Sequence, residues 1–241
     1  MEYSSGRGSV DISKETGIPV DSIIRFCRES GIGIRSYKNA AHRLLVDESC
    51  FDLIDTEEKA YWLGFISADG CITGNSLTIS LALKDIDHLK KIKSFTKSQH
   101  KIGIEEKYGR CSWRFRSDKV VNSLVSLGVT ERKSLTIVPC LDRVDKRYTR
   151  DYWRGFVDGD GHVSPKNYPY GVIGLCGTLD VVKSFCEFIV SRGIPIKTKI
   201  RRTGNIYSIS IQNKFIDIYR ILYKDSKVYL DRKFHEEFLY A

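Results

Sequence analysis

Two aspartates invite a chemical reading, because each closes a copy of the same ten-residue segment. Tyr61-Trp62-Leu63-Gly64-Phe65-Ile66-Ser67-Ala68-Asp69-Gly70 returns as Tyr152-Trp153-Arg154-Gly155-Phe156-Val157-Asp158-Gly159-Asp160-Gly161. Six of the ten positions are identical, at an offset of 91 residues. Each copy has the pattern of a helix that stops at its final glycine, which puts Asp69 and Asp160 in last turns. A carboxylate there meets the negative end of the helix dipole, a placement that makes sense if a cation joins it. Free carbonyls at a helix C-terminus, here those of Ala68 and Gly159, are hard oxygen donors for such an ion. Two acids with divalent ions between them are the equipment for in-line hydrolysis of a phosphodiester. A single Asp-Gly would be only a turn. Two copies with the same flanks and the same following elements argue against that reading.

The spacing also says how the acids meet. Gly64 and Ala68, like Gly155 and Gly159, are four apart and share a helix face. Small residues on one face let two helix backbones approach closely, so the two copies should pack together and bring Asp69 and Asp160 side by side. Asp158 and Asp160 also hint at a calcium-binding loop, but His162 and Pro169 would then stand at ligand positions, which excludes it.

The elements after each copy match in order. Asp55 and Glu58 suggest a capping box at the start of the first helix. Leu77, Ile79, Leu81 and Leu83 alternate with small and polar residues, as in a strand. Residues 85–97 read as a helix with Ile86, Leu89, Ile92 and Phe95 on one face. Strands near 101–107 and 111–117 follow, then a helix over 118–127 with Val121, Leu124 and Val125 inward. The second copy repeats this with a strand at 171–177, a helix at 179–191, strands at 196–202 and 206–212, and a helix at 214–223. The fold class is therefore α+β, with two pseudo-symmetric αββαββα halves on one chain (51–140 and 141–241). Residues 1–50 lie outside the repeat. They suggest two short helices about a turn at Gly17, with Ile12, Ile18, Ile23, Ile24 and Cys27 inside and Asp21, Ser22, Arg25 and Arg28 outside. That is a helix-turn-helix pattern, and Arg25 and Arg28 become candidate DNA contacts. The basic residues Arg35, Lys38 and Arg43 follow.

Composition fits a polyanionic partner. The 241 residues carry a formal charge of +9, with 41% hydrophobic and 29% charged residues. No apolar run approaches bilayer length and no secretory signal is visible, so neither a membrane nor export is expected. Seven cysteines, an odd number with no Cys-x-x-Cys pair, suggest a reducing, DNA-containing compartment such as the cytoplasm.

The paired segments resemble the doubled motifs of the single-chain LAGLIDADG homing endonucleases, over about residues 52–241. The resemblance implies motif helices at the interface of two halves, and a curved antiparallel sheet from each half laid in the DNA major groove. It further implies a divalent ion, usually Mg2+, on the last acid of each motif, here Asp69 and Asp160. Gly64 and Gly155 match the packing glycine, and Ser67 stands where the first Asp of the family name would be. The implied activity is site-specific double-strand DNA cleavage by a monomer, on a long asymmetric duplex. The family often carries a lysine near each active site. Lys119 and Lys214 are equivalent by the repeat, though each also suits a solvated helix start. Arg114, Arg116, Lys197, Lys199, Arg201, Ser210 and Gln212 sit on strand faces that could read DNA. Two alternatives stay open: a DNA-binding regulator that has lost cleavage, and an RNA maturase of the same fold.

Overall fold

The computed structural model describes residues 8–34, 45–166 and 168–240. The chain divides into two units, Met1–Leu45 and Val46–Ala241. In the first, α1 (Ser9–Thr16) and α2 (Val20–Glu29) form a helical hairpin. Gly17 makes the turn at φ +71°, a left-handed conformation that glycine adopts without steric cost. Ile12, Ile23 and Cys27 are buried, with Ile24 and Ile32 packed on them. Ile18, expected inside, is instead 47% exposed, because it sits in the turn itself. Arg25 and Arg28 are exposed as expected. Arg35, Lys38 and Arg43 lie outside the described residues.

The second unit contains both halves around one continuous core. The first half runs α3 (Glu57–Asp69), β1 (Gly70–Thr73), β2 (Ser76–Ala82), α4 (Ile86–Phe95), β3 (Ile102–Glu105), β4 (Arg110–Arg116) and α5 (Asp118–Ser126). The second runs α6 (Thr149–Asp160), β5 (Gly161–Pro165), β6 (Gly171–Gly177), α7 (Leu179–Ser191), β7 (Arg201–Thr203), β8 (Ile206–Ile211) and α8 (Phe215–Tyr223). The αββαββα order is thus present twice. The sheets are antiparallel with strand orders β1-β2-β4-β3 and β5-β6-β8-β7.

Local chemistry explains most boundaries. Thr56, Ser117 and Thr178 cap α3, α5 and α7 through their hydroxyls. Asp55 does not cap α3; its carboxylate pairs with Lys59 at 2.8 Å, and the shorter Thr56 side chain takes the cap. Val125 is 44% exposed, while Val120, Val121 and Leu124 face the core. The expected strand over 196–202 begins only at Arg201, so Lys197 and Lys199 precede the sheet and do not share a strand face with Arg201. Among the described residues no helix is long and apolar enough to cross a membrane.

Candidate nuclease site

Everything at the site depends on how closely α3 and α6 pack. Every residue of α3 from Ala60 to Ala68 is buried. A Cβ added at Gly64 would collide with the Tyr152 carbonyl, and one at Gly155 with the Tyr61 carbonyl. These contacts exchange under the 91-residue offset, so the helix pair is locally two-fold. Gly159 faces Ala68 so tightly that a Cβ would collide there too, and would lie 3.4 Å from Asp69 Oδ2. The glycine and alanine spacing therefore permits close approach from Tyr61 and Tyr152 to Ala68 and Gly159, and the two C-termini end together.

Gly70 and Gly161 close the helices for a different reason than expected. Both have extended backbones, at φ −72° and −99°, and so do not form a left-handed cap. They are required by crowding: an added Cβ would lie 2.6 Å from the Ile66 carbonyl at Gly70, and 2.7 Å from the Gly174 carbonyl at Gly161.

The helix ends bring Asp69 and Asp160 into electrostatic contact. Burial first, and then the charge of Asp160, raise the Asp69 carboxyl from 3.8 to about 6. Burial also raises Asp160, opposed by the charges of Lys133 and Lys233. Asp160 keeps solvent contact at the cleft mouth, so its rise reflects the protein atoms crowded around it and not full enclosure. Ser67, Ala68, Lys133, Phe156, Asp160 and Cys176 line a cleft of about 240 Å3 there. A larger cavity of about 580 Å3, between Lys166, Tyr170 and Phe215, has no carboxylate in its lining.

Lys133 and Lys233, and not Lys119 and Lys214, are the lysines that reach the acids. Lys119 is exposed and pairs with Asp52 at 3.0 Å; Lys214 pairs with Asp217 at 3.2 Å. Both are helix-start lysines in local ion pairs. Lys133 is buried and donates to the Ala68 carbonyl at 2.7 Å. Lys233 is buried and donates to the carbonyls of Val157, Asp158 and Gly161 at 2.7, 2.8 and 2.7 Å. Ammonium groups thus occupy carbonyls at the negative ends of both helices, and the Ala68 carbonyl, a candidate metal donor in the sequence, is already engaged. Burial lowers both lysines, Lys233 to about 8, while Asp69 and Asp160 oppose that shift. A signal for them exists in the sequence. Glu131-Arg132-Lys133 and Asp231-Arg232-Lys233 are an acid-Arg-Lys pair at an offset of 100, displaced from the offset of 91 by extra residues in the second half.

A buried network ties the halves together behind the acids. Asp158 accepts from Tyr61 Oη at 2.7 Å, Tyr223 Oη at 2.6 Å and the Leu230 amide at 2.8 Å. Tyr61 Oη also meets His88 Nε2 at 3.1 Å. At the matching places Tyr152 is hydrogen-bonded to Ser67, so the position that holds Ser67 in one half and Asp158 in the other receives a tyrosine from across the interface. Arg154, fully buried, bonds Asp151 at 2.6 Å, Glu57 at 2.9 Å and two backbone carbonyls.

The expected reading faces are exposed where strands exist. Arg114 and Arg116 alternate with buried Trp113 and Phe115. Ser210 is exposed between buried Ile209 and Ile211, and Gln212 just after β8 is exposed, as is Arg201 on β7.

No protein-family model and no curated protein matches the chain. Among solved structures it is similar to LAGLIDADG meganuclease I-AabMI bound to uncleaved DNA, with 13% identity over 66% of this chain and 82% of that one and a TM-score of 0.44. It is similar to LAGLIDADG homing endonuclease I-GzeII in complex with its DNA target, at 12% identity over 74% and 87% of the two chains, with a TM-score of 0.49. I-SmaMI bound to cleaved DNA gives 14% identity over 74% and 85%, with a TM-score of 0.48. All three are LAGLIDADG homing endonucleases.

Proposed function

We propose that the chain is a site-specific DNA endonuclease of the LAGLIDADG type that cuts both strands of a duplex. The observation that carries this reading is the meeting of Asp69 and Asp160 at adjoining helix ends, each raised by burial, with two buried lysines beside them. A pair of crowded carboxylates at the negative ends of two helices is a donor set that a divalent cation suits. Asp69 and Asp160 would hold Mg2+, with the carbonyl of Gly159 as a further hard donor. The bound ion would supply Lewis-acid activation of water and stabilise charge on the scissile phosphate. Lys133 and Lys233 would keep the two acids ionised at neutral pH and present positive charge toward the incoming phosphate. The sheets would lie in the major groove, with Arg114, Arg116, Arg201, Ser210 and Gln212 outward. The exposed face of α2, with Arg25 and Arg28, would grip DNA separately. One chain carrying both acids would act as a monomer on an asymmetric site.

The test is cleavage of a supercoiled plasmid library with and without magnesium. Asp69→Asn and Asp160→Asn should each abolish double-strand cutting while gel-shift affinity stays within about threefold. Cutting in excess chelator, or full activity in either mutant, would reject the assignment.

A further inference from the structure

The two sheets differ at two pairs of matched outward positions, and the side chains there have different base preferences. In the first half a ladder row runs Gly70–Ile79–Trp113; in the second it runs Gly161–Leu175–Ile209. Both rows start at the residue that follows the acid. Counting outward from them, Arg114 matches Ser210 and Arg116 matches Gln212. Arg114 and Arg116 point away from the core, on the face opposite Trp113 and Phe115.

Both arginines are oriented by neighbours. Arg116 Nε donates to Asn75 Oδ1 at 2.9 Å, and among the described residues neither terminal amino group of its fork has a partner. Arg114 is held by one terminal nitrogen, Nη2, on Ser76 Oγ at 3.3 Å. A guanidinium has five donors, so each retains enough for a bidentate contact. Arginine presented to the major groove pairs with guanine O6 and N7, whereas glutamine pairs with adenine N6 and N7, and serine suits several bases. Two residues along a strand span about 6.8 Å, about two base-pair steps.

We infer that the half-site under the first sheet carries guanines facing Arg114 and Arg116, about two base pairs apart. The other half-site carries adenine facing Gln212 and no fixed base facing Ser210. This rests on the DNA-cutting reading and specifies its substrate.

The experiment selects bound duplexes from a library randomised over roughly 20 base pairs, about two helical turns, using the full chain in chelating buffer so that nothing is cut. The expected consensus has two guanines in one half only. Replacing either guanine with adenine should weaken binding about tenfold. Arg116→Gln should convert the outer guanine to adenine and leave the inner one, and Arg114→Gln should do the reverse. Both side chains are exposed, and matched melting curves check the fold. Enrichment of a site lacking these guanines would overturn the inference and leave DNA binding standing. So would an Arg116→Gln protein that binds all sequences more weakly with unchanged preference, since its arginine would then be a phosphate contact. No enrichment of any duplex would overturn both the inference and the DNA-binding reading beneath it.

Discussion

Tyr61, in the first half, donates its hydroxyl to the carboxylate of Asp158, in the second, at 2.7 Å. Because Asp158 also accepts from Tyr223 and the Leu230 amide, one buried carboxylate joins α3, α6, α8 and the segment that carries Lys233. Tyr61→Phe should cost about 2 kcal/mol, as for a hydrogen bond to a buried charge. Tyr61→Phe and Tyr223→Phe share that acceptor, so the double mutant should depart from additivity by at least about 0.5 kcal/mol. Urea unfolding of the four proteins measures this; strict additivity would mean the network is not shared.

Gly64→Ala and Gly155→Ala should each destabilise by about 3 kcal/mol or more, because the new methyl meets a backbone carbonyl that cannot step aside. Gly103→Ala is the control. Its nearest neighbour would be Ser112 Oγ at 3.5 Å, so its midpoint should scarcely move.

Asp69 should cost the fold stability at neutral pH. Its carboxyl is raised from 3.8 to about 6, so the native state holds the proton more tightly than the unfolded chain. The cost is absent below pH about 4, grows through the interval between the two values, and is complete above about 6. Asp69→Asn in chelator should therefore be more stable than wild type at pH 7.5, by up to about 3 kcal/mol before solvent screening at the cleft mouth reduces it. The difference should vanish near pH 4. A gain that persists unchanged at low pH would show that the charge is not its source.

Lys133→Met and Lys233→Met should reduce cleavage about 100-fold, the scale for losing one preorganised donor at a reacting group. Lys119→Met and Lys214→Met should stay within about twofold. The opposite ranking in single-turnover assays would return the role to the helix-start lysines.

Removal of residues 1–46 should weaken DNA binding and flatten its salt dependence, because phosphate contacts through Arg25 and Arg28 would be lost. The cut position should not change. Footprinting decides: an unaltered protected region in the truncated protein would make the hairpin a structural appendage.

The doubling of the motif was the part of the fold most legible in the sequence. Helix packing at Gly64 and Gly155 and the strand faces around Trp113 and Ile209 followed from periodicity, because burial on one side writes itself into alternation. The lysines were not legible the same way. Lys133 and Lys233 lie in single 3-10 turns after the last helix of each half, too short for periodicity to mark a side chain as inward. Lys119 and Lys214 hold matching places in the repeat, yet matching places are a property of helix starts as well as of sites. The 196–200 stretch is ambiguous for a related reason: alternating Lys197 and Lys199 satisfy a strand pattern, yet the strand starts only at Arg201.

The placement of Lys133 and Lys233 has a thermodynamic consequence. At neutral pH two carboxylates and two ammonium groups nearly cancel at the cleft, so the bare centre neither attracts nor repels a phosphate strongly. A divalent cation seated on the acids would tip that balance positive at the cleft where a scissile phosphate would sit. Cation and DNA should then be linked ligands, each tightening the other by the same factor. Titrating calcium by calorimetry with and without duplex, and duplex with and without calcium, should return one coupling free energy from both directions.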